Sequence, residues 1–460
     1  MYQINFTKPI RVHFIGIGGI SMSGLAEILL EAGFKVSGSD MKQSALTDKL
    51  IANGAEIAIG QRAENIKDPE LVVYTAAIHP DNPEYAEAVR RGIPMLSRAQ
   101  LLGEIMTNYN VAVNIAGTHG KTTTTSMLSE ILIKAKKDPT VSVGGLLDAI
   151  GGNLRNGSRD YFVAEACEYT NSFLSFHPTI AVILNVEADH LDFFKDIDDI
   201  RNSFRKFVLT LPQDETGCLI INGGIRDREF FTDGMGCDVI TFGLSDDCDY
   251  TAHDISFDEY ARPSYTLVRR GEELCRIELK VHGKHNVIDS LAAVAAAERV
   301  GVAVDDIREA LAEFEGVKRR FEHKGSVNGC EILDDYAHHP QEIEATLKAA
   351  KQCRHNRLYV VFQPHTYTRT KALLNDFAAA LLNADEVILA DIYAAREVNT
   401  VGVSSADIAD LINAKGGKAV HIPEFEEIKK YILNNVKEGD LLITMGAGNV
   451  VDIADQLVGR

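Results

Sequence analysis

The first hundred residues alternate between short apolar runs and stretches with helical periodicity. RVHFIGIG (11–18) and FKVSGSD (34–40) are typical of buried strands, and LVVYTAAI (71–78) predicts a third. Between the first two runs, ISMSGLAEILLEAG (20–33) has the apolar spacing of an amphipathic helix that ends at Gly33. This alternation predicts a parallel sheet with helices on both faces.

The same alternation continues along the chain with one interruption. Residues 250–281 change to period two with turn residues between the runs, which predicts an antiparallel meander. Helical patterns follow at 285–300 and 306–314, with Asp305 as the expected N-cap of the second. The other predicted strands are 111–116, 180–186, 218–222, 358–364, 386–392 and 440–445, and the other helices follow Lys121 and cover 368–384, 404–415 and 425–436.

The length of the chain indicates how these elements are divided. A chain of 460 residues is too long for one core, and roughly 150 residues per domain suggests three domains. We interpret TNYN (107–110) as a hinge, and the strand–helix alternation restarts at Gly316. We therefore predict an α/β protein of three domains, covering residues 1–108, 109–315 and 316–460.

Composition and charge narrow the class of protein. Hydrophobic residues make up 45% and charged residues 25% of the chain, as in ordinary globular proteins. The net charge of −19 argues against a nucleic-acid partner, which would require a basic surface. No apolar run approaches the roughly 20 residues that span a bilayer, and the N-terminus lacks a secretory signal pattern. The expectation is a cytoplasmic protein without a membrane partner.

The seven cysteines support the same location. None forms a C-x-x-C pair, so zinc-ribbon and thioredoxin-like sites are not expected. An odd, scattered set of cysteines is typical of reduced thiols in the cytosol, and we predict no disulfides.

The stretch NIAGTHGKTTTTSMLSEIL (114–132) carries the strongest chemical signal. An apolar strand leads through Gly117, Thr118, His119 and Gly120 into a helix that begins near Lys121. Backbone N–H groups, the helix dipole and the lysine charge together form an anion site, and a nucleotide triphosphate is the expected ligand. Only two residues separate the glycines, where the usual phosphate loop has four. The alternative is an ordinary strand-to-helix turn with a solvent-exposed lysine.

A second glycine-rich turn, GIGGISMSG (16–24), lies between the first strand and the first helix. Asp40 ends the next strand 22 residues after Gly18, a spacing that suggests a ribose contact in dinucleotide-binding proteins. Ser21 replaces the third glycine of that pattern, which weakens it, and tight strand–helix packing is the alternative explanation. Two phosphate sites favour an enzyme that joins a nucleotide-linked substrate to ATP chemistry over an NAD-dependent oxidoreductase.

Ten sequence blocks together resemble the Mur ligase family along the whole chain. Besides the two glycine loops, the blocks are FVAEACEY, NVEADHLD, GKHN, RRFE, DDYAHHP, QPHTYTRT, IYAAREVN and TMGAGN, in the family's order. The resemblance also accounts for the shortened phosphate loop. It implies a Rossmann-like N-terminal domain for the UDP-sugar, a central ATPase-type domain with an antiparallel portion, and a Rossmann-like C-terminal domain that closes over ATP and the amino acid.

The resemblance also implies a reaction. ATP, UDP-N-acetylmuramate and L-alanine would give the alanyl amide, ADP and phosphate in cytoplasmic peptidoglycan synthesis, by a monomer or a homodimer. A relative that joins a peptide to the same sugar-nucleotide remains an alternative, as does a nucleotide-binding regulatory module.

Residue roles follow from the resemblance, position by position. Lys121 would bridge the terminal phosphates of ATP, and Thr122, Glu165 and His190 would bind Mg²⁺, with Mn²⁺ also possible because of the imidazole. Glu168 is close enough in sequence to assist them. The predicted ATP contacts are Gly117, Thr118, His119, Gly120, Lys121, Thr122, Thr123, His285, Asn286, Arg320 and Asp335.

The substrate positions are less uniform within the family. His365 and Arg369 would hold the alanine carboxylate, with His338 nearby, although many members have arginine where this chain has Thr366. Asp289 similarly replaces a common asparagine three residues after Asn286. The candidates for the sugar-nucleotide are Gly18, Ser21, Met22, Ser23, Asp40, Ser97 and Arg98.

Overall fold

The structure is a computed structural model that describes residues 2–75, 77–190, 193–258, 261–395 and 397–459. It contains three β-sheets, each covered by helices, which confirms the predicted three-domain α/β architecture. Leu191 and Asp192 of the NVEADHLD block and Arg396 of the IYAAREVN block lie outside the described residues.

The N-terminal sheet has five parallel strands in the order β3-β2-β1-β4-β5. Apolar side chains from β1 and from the first helix form one core with the start of the central sheet, because strand residues alternate between the two faces. The elements are β1 Arg11–Ile15, α1 Ile20–Glu31, β2 Lys35–Asp40, α2 Ala45–Ala52, β3 Glu56–Ile59, β4 Leu71–Tyr74, α3 Pro83–Arg91, β5 Met95–Ser97 and α4 Arg98–Met106.

The central sheet has ten strands in the order β15-β14-β13-β12-β11-β10-β6-β9-β7-β8. From β13 through β12, β11, β10, β6 and β9 to β7, each strand is parallel to its neighbour in the sheet. Strands β13, β14 and β15 form the predicted antiparallel meander. The elements are β6 Val111–Ala116, α5 Lys121–Lys134, β7 Thr140–Leu147, β8 Gly152–Arg155, β9 Tyr161–Ala166, β10 Ile180–Ile183, α6 Ile197–Val208, β11 Cys218–Asn222, α7 Glu229–Thr232, β12 Asp238–Phe242, β13 Tyr250–Phe257, β14 Pro263–Arg269, β15 Glu272–Glu278, α8 His285–Arg299 and α9 Val304–Glu313.

The C-terminal sheet has six strands in the order β16-β17-β21-β18-β19-β20, with only β16 antiparallel to its neighbour. Buried side chains cover both of its faces, as a parallel sheet requires. The elements are β16 Glu322–Val327, β17 Cys330–Asp335, α10 Pro340–Ala350, β18 Leu358–Phe362, α11 Tyr367–Ala372, α12 Leu374–Leu381, β19 Glu386–Leu389, α13 Ser405–Ala414, β20 Ala419–His421, α14 Phe425–Asn435, β21 Leu441–Met445 and α15 Val451–Leu457.

Two sequence predictions about helices are corrected. Asp305 is not an N-cap, because α9 begins at Val304 with Ala303 as its cap, and the aspartate lies in the first turn. There its charge still favours the positive end of the helix dipole. The single helix predicted at 368–384 is two helices, α11 and α12, which meet at Leu373.

The N-terminal domain contains a buried polar network around Glu84 of α3. One carboxylate oxygen of Glu84 lies 3.2 Å from Nε2 of His13 and accepts a hydrogen bond of 2.7 Å from Ser39. The other accepts from the backbone N–H of Arg62 and the amide of Asn65. The side chain of Glu84 is fully buried and that of His13 is 2% exposed. These bonds connect β1, β2 and the segment after β3 to one helix.

Contacts between domains bring the carboxyl ends of the sheets near each other. Helix α4 packs against the central domain, where Gly103 contacts the backbone of Ser175 too closely for any larger side chain. On the other side, Gln341 at the start of α10 donates a hydrogen bond of 3.2 Å to the carbonyl of Ala188. The C-terminal domain therefore lies beside the loop that follows β10.

Two further observations concern bonding and topology. All seven cysteines are free thiols, as predicted. Within the described ranges, the structure has no helix long and apolar enough to cross a membrane.

Candidate active site

The central site lies where β10, β6 and β9 end side by side. Neighbouring parallel strands present their carboxyl ends at the same edge of a sheet, and ligands of α/β proteins bind there. β6 leads into the phosphate loop, β9 carries Glu165 and leads to Glu168, and the segment after β10 carries His190. Residues that are 70 positions apart therefore share one edge.

Two glycines shape the phosphate loop. Gly117 has φ +154° and lies so close to Leu184 that a Cβ atom would be 2.9 Å from that side chain. Gly120 has φ +82°, a left-handed conformation that glycine adopts without strain, and it caps α5. The helix begins at Lys121, as predicted, so its free N–H groups and its positive dipole end point into the loop.

The loop is braced by the segment after β10. The side-chain oxygen of Asn185 accepts a 2.8 Å hydrogen bond from the N–H of His119, and its amide donates to the carbonyl of His119. The hydroxyl of Thr118 accepts from the N–H of Glu187 at 3.0 Å. These groups of Thr118 and His119 are therefore engaged in holding the loop, although both residues were predicted to contact ATP.

Lys121 is held inside the loop. Its ammonium group donates to the carbonyls of Gly117 and Thr118 and lies 3.1 Å from a carboxylate oxygen of Glu168, which is 2% exposed. Burial by itself lowers the pKa of Lys121, but the charge and hydrogen bond of Glu168 together with the neighbouring Cys167 and Glu165 outweigh burial, and the pKa is raised. The lysine is therefore a cation at any physiological pH, as a phosphate ligand must be.

His190 belongs to a group that fits a divalent cation. Ligand atoms of Glu168, Asp189 and His190 lie within 4.8 Å of one another. The ring of Tyr169 packs on that of His190 with centroids 4.6 Å apart, and His190 has φ +52°, which is uncommon outside glycine. Carboxylate oxygens suit Mg²⁺, and the imidazole is better suited to Mn²⁺.

The other two predicted metal residues lie at the margin of this group. Glu165 accepts a hydrogen bond from the N–H of Gly144 on β7, and it is not a member of the three-residue group found among the described residues. Thr122 is 7% exposed, and its methyl group packs near Gly145. Thr123, the next residue of α5, is half-buried.

His285 and Asn286 begin α8 on the other side of the loop. The amide of Asn286 donates to the carbonyl of His282 at 2.7 Å, whereas its buried Oδ1 atom has no hydrogen-bond partner among the residues described here. Burial lowers the pKa of His285. An unsatisfied buried oxygen is costly in a finished structure, so this position suits a ligand that donates a hydrogen bond.

Asp289 lies one helical turn after Asn286 and packs against the phosphate loop. A Cβ atom on Gly120 would lie 2.5 Å from its carboxylate, so only glycine fits there. Burial raises the pKa of Asp289 to about 8, although a hydrogen bond from Thr124 acts in the opposite direction. The side chain is therefore an uncharged acid near neutral pH, similar in shape and hydrogen-bonding capacity to the asparagine usual at this position.

The raised pKa of Asp289 predicts a pH effect on stability. The folded protein keeps the proton of Asp289 up to about pH 8, whereas the unfolded chain releases it near pH 4. The stability that the protonated Asp289 contributes is therefore complete below about pH 4 and is lost as pH rises to about 8. Asp289→Asn cannot ionise. We expect the thermal unfolding midpoint of this variant, measured by scanning calorimetry, to rise relative to that of the wild-type protein as the pH increases from 5 to 8. A gap between the two midpoints that does not change with pH would contradict this.

The RRFE segment gives its two arginines different surroundings. Arg319 forms an ion pair with Asp334 at 3.0 Å and donates to the carbonyls of Gly446 and Gly448, so it fastens the hinge to the C-terminal domain. Arg320 lies over the ring of Tyr336 and near Asp335. The predicted phosphate contact, Arg320, therefore remains available for a ligand.

Asp335 has a structural task in addition to its predicted nucleotide contact. Its carboxylate accepts hydrogen bonds of 2.8 Å from the N–H groups of Phe321 and Ala337. Burial raises its pKa to about 6, although the charge of Arg320 counteracts this. The carboxylate fixes the turn that leads to His338.

His338, His365 and Arg369 converge at the carboxyl edge of the C-terminal sheet. The rings of His338 and His365 are 6.1 Å apart, and burial together with the charge of Arg369 lowers the pKa of His365. Nδ1 of His365 and Nη1 of Arg369 are buried without hydrogen-bond partners in the described part of the chain. An unpaired guanidinium N–H group beside an unpaired ring nitrogen is suited to a carboxylate ligand.

The first glycine turn does not leave its N–H groups free. Asp40 accepts a 2.8 Å hydrogen bond from the N–H of Gly18, and a Cβ at Gly18 would lie 2.9 Å from the same carboxylate. Gly18 and Asp40, both predicted to contact the sugar-nucleotide, therefore contact each other, and their contact with a ligand stays a prediction. This arrangement holds β2 against the turn.

The remaining sugar-nucleotide candidates divide into two groups. Arg98 donates to the hydroxyl of Ser21 at 3.1 Å, and burial lowers the pKa of Arg98. Ser97 caps α4 through Gln100. The side chains of Met22 and Ser23 are each 2% exposed and lie in the core, so contact of these two residues with a ligand stays a prediction.

Three residues of the site were missed by sequence reasoning. Asp189 lies in the NVEADHLD block and Tyr393 in the IYAAREVN block, so a signal was present for both. The sequence prediction chose Arg320 and not Arg319, because an arginine pair has no feature that indicates which of the two side chains packs against the rest of the protein.

The fold and the site define an α/β enzyme class in which a phosphate loop of one domain faces a histidine- and arginine-lined site of another. Three family models match consecutive segments: the Mur ligase family catalytic domain over residues 11–110, the Mur ligase middle domain over 115–297, and the Mur ligase glutamate ligase domain over 319–448. The chain belongs to the Mur ligase family.

Individual relatives agree over the full length. The chain is 59% identical to the UDP-N-acetylmuramate–L-alanine ligase of Lachnospira eligens, covering 100% of both chains, and 50% identical to that of Caldanaerobacter subterraneus, covering 99% of both. It is similar to the crystal structure of UDP-N-acetylmuramate–alanine ligase from Thermotoga maritima, with TM-score 0.77, 30% identity, and 98% and 99% of the two chains covered.

A solved relative with another substrate is also similar. The murein peptide ligase of Psychrobacter arcticus matches with TM-score 0.68 and 26% identity over 98% of both chains. The fold is therefore shared by ligases with different amino-acid substrates, and the choice of substrate has to be argued from the site.

Proposed function

We propose that this protein is an ATP-dependent ligase that joins L-alanine to the lactyl carboxylate of UDP-N-acetylmuramate in peptidoglycan synthesis. Support comes from relatives of that name at up to 59% identity among those compared. The observation that carries the proposal is the pairing of two sites. A lysine-tipped phosphate loop belongs to one domain and a site with two unpaired nitrogen atoms, on His365 and Arg369, to the next, and Gln341 bridges the two domains.

The reaction needs activation of an inert group. A carboxylate does not react with an amine at neutral pH, because its oxygen is a poor leaving group. Transfer of the γ-phosphoryl group of ATP gives an acyl phosphate, and attack by the amine forms a tetrahedral intermediate that expels phosphate. The protein contributes position and charge stabilisation.

Each part of the site has a task in this scheme. Lys121 and the N-terminus of α5 bind the terminal phosphates, and Asn286 with His285 lies on the nucleobase side. Arg369 and His365 hold the carboxylate of alanine, so that its amine is directed at the acyl carbon. Glu168, Asp189 and His190, with Glu165 and Thr122 nearby, would hold Mg²⁺, which neutralises charge on the phosphates when bound.

The domain assignment belongs to the same proposal. Residues 1–108 bind the UDP-sugar, 109–315 bind ATP, and 316–460 close over ATP and the amino acid. We place the reaction in the cytoplasm, which is consistent with seven free thiols. The working unit is a monomer or a homodimer.

An ADP-release assay across a panel of amino acids and peptides tests the proposal. We expect turnover only when UDP-N-acetylmuramate and L-alanine are both present. Turnover that requires a tripeptide in place of alanine would identify the peptide-joining relative instead. A protein that binds ATP but shows no turnover with any member of the panel would have a binding role, and the proposal would be wrong.

Arg369→Ala tests the assignment of the amino-acid site. Loss of a charged hydrogen-bond donor to a carboxylate should raise KM for L-alanine about 10- to 100-fold. The dissociation constant for ATP should stay within about twofold, since the phosphate loop is in another domain. Both constants can be measured on one preparation, by steady-state kinetics and by calorimetry. A weakened ATP affinity with unchanged KM for alanine would move Arg369 to the nucleotide side.

A further inference from the structure

Four aromatic rings form a row at the carboxyl edge of the C-terminal sheet. Tyr336 contacts His338 with ring centroids 5.4 Å apart, His338 contacts His365 at 6.1 Å, and His365 contacts Tyr393 at 5.6 Å. Tyr393 and His365 are stacked, with an angle of 21° between their planes. The row begins after β17 and ends after β19, so it crosses the edge that carries the unpaired nitrogen atoms of His365 and Arg369.

Tyr393 is held in place by its backbone. Its N–H donates to the carbonyl of Pro364 at 2.8 Å, and its carbonyl accepts from the N–H of Thr366 at 2.9 Å. These two bonds form an isolated bridge between the loop after β18 and the loop after β19. Thr366 adopts φ +67° to make its bond, a conformation that is uncommon for threonine.

Two further contacts limit the movement of this loop and ring. The carboxylate of Glu397 accepts a 2.9 Å hydrogen bond from the N–H of Thr368, which fastens the loop after Tyr393 to α11. A Cβ atom at Gly448 would lie 2.8 Å from Cγ of Tyr393. The ring therefore contacts both His365 and a glycine that has no room for a larger side chain.

Tyr393 is 40% exposed although its backbone is hydrogen-bonded on both sides. The ring on which it stacks, His365, has an Nδ1 atom that lacks a partner in the described ranges, and the charge of Arg369 acts on His365. An amino acid whose carboxylate binds these two groups has its side chain beside the aromatic row.

We propose that Tyr393 is a specificity-determining residue: its fixed ring, stacked on His365, limits the size of the amino-acid side chain that the ligase accepts. This inference rests on the proposed function. A methyl group fits beside an immobile ring, whereas a longer side chain would have to displace the ring, the bridge or Gly448. One methylene in such a pocket changes kcat/KM about 10- to 200-fold.

The test compares L-alanine with L-2-aminobutyrate, which is longer by one methylene. For the full-length wild-type enzyme with ATP and UDP-N-acetylmuramate, we expect kcat/KM for alanine to be higher by at least about tenfold. Tyr393→Ala should reduce this ratio to below about threefold, because the obstacle to the longer side chain is removed. Tyr393→Phe keeps the ring and should keep the ratio.

The controls separate selectivity from folding. Tyr393→Leu fills the space against Gly448 but cannot stack, so it gives the same test if the alanine variant fails to fold in circular dichroism. Tyr431→Ala removes a tyrosine from α14 of the same domain and should change both substrates equally. Equal losses for both substrates in Tyr393→Ala or Tyr393→Leu, or a lost ratio in Tyr393→Phe, would overturn the inference.

Failure of the proposed function would look different. In that case the wild-type enzyme itself would release no ADP in response to L-alanine, whatever happened at position 393. An active, selective wild-type enzyme whose Tyr393 variants remain equally selective would leave the function intact and refute only the role of Tyr393.

Discussion

Lys121→Ala should reduce ATP turnover by about 100- to 1,000-fold, the cost of losing one group that stabilises charge in the transition state. Lys121 is the only lysine or arginine among the described loop residues 117–123. Binding of UDP-N-acetylmuramate should survive, because the N-terminal domain supplies that site. Phosphate release and isothermal calorimetry measure the two effects separately.

The control for Lys121→Ala lies on the same helix. Lys134 ends α5 and forms exposed ion pairs with Glu309 and Glu313, so Lys134→Ala should retain turnover. Loss of sugar-nucleotide binding in Lys121→Ala would show that the two sites are wrongly separated. Full turnover would mean that the triphosphate binds elsewhere, and the proposed mechanism would fail.

Glu84→Ala should destabilise the N-terminal domain by about 3–5 kcal/mol, the usual cost of removing one member of a buried polar pair. His13, Ser39 and Asn65 would each lose the hydrogen bond that they make with Glu84. Burial by itself raises the pKa of Glu84, but hydrogen bonds from His13 and its neighbours outweigh burial and lower it. The stability that the ionised Glu84 contributes is therefore present above about pH 4.5 and is lost as pH falls.

Hydrogen exchange measures this effect better than global unfolding, because a three-domain chain does not unfold in one step. Amides of β1, β2 and α3 should exchange faster in Glu84→Ala, while those of the C-terminal sheet should not change. Glu87→Ala is the matched control, since Glu87 lies on α3 and pairs with Arg90 at the surface. Equal effects of the two substitutions would show that the network around Glu84 carries no special stability.

The fold could be predicted from the sequence because the patterns that indicate strands and helices are local. Buried parallel strands are continuous apolar runs, and helices show their own period, so β1, β6, β10 and β18 could be located from composition alone. Errors arose where local preference competes with context. Asp305 is a good N-cap residue, yet α9 begins at Val304 with Ala303 as its cap.

The candidate site was accessible only in part. Glycines, Lys121 and the histidine-rich blocks mark chemistry by their residue types. Other features of the site depend on the direction in which a side chain points. They are the different contacts of Arg319 and Arg320, the burial of Met22 and Ser23, and the bond between Asp40 and Gly18. Residue type does not encode direction, so these outcomes could not be read from the chain.

By itself, the sequence determined the order of strands and helices, the presence of two glycine turns and a lysine at the start of α5, because each is set by neighbours within a few residues. Tertiary structure alone decided which strand ends lie side by side. It brings Glu168 to Lys121, Asp189 and His190, and it brings Tyr169 to His190 and Tyr393 to His365. The reason is physical: strand pairing is settled by burial summed over whole sheets, and no local stretch contains that sum.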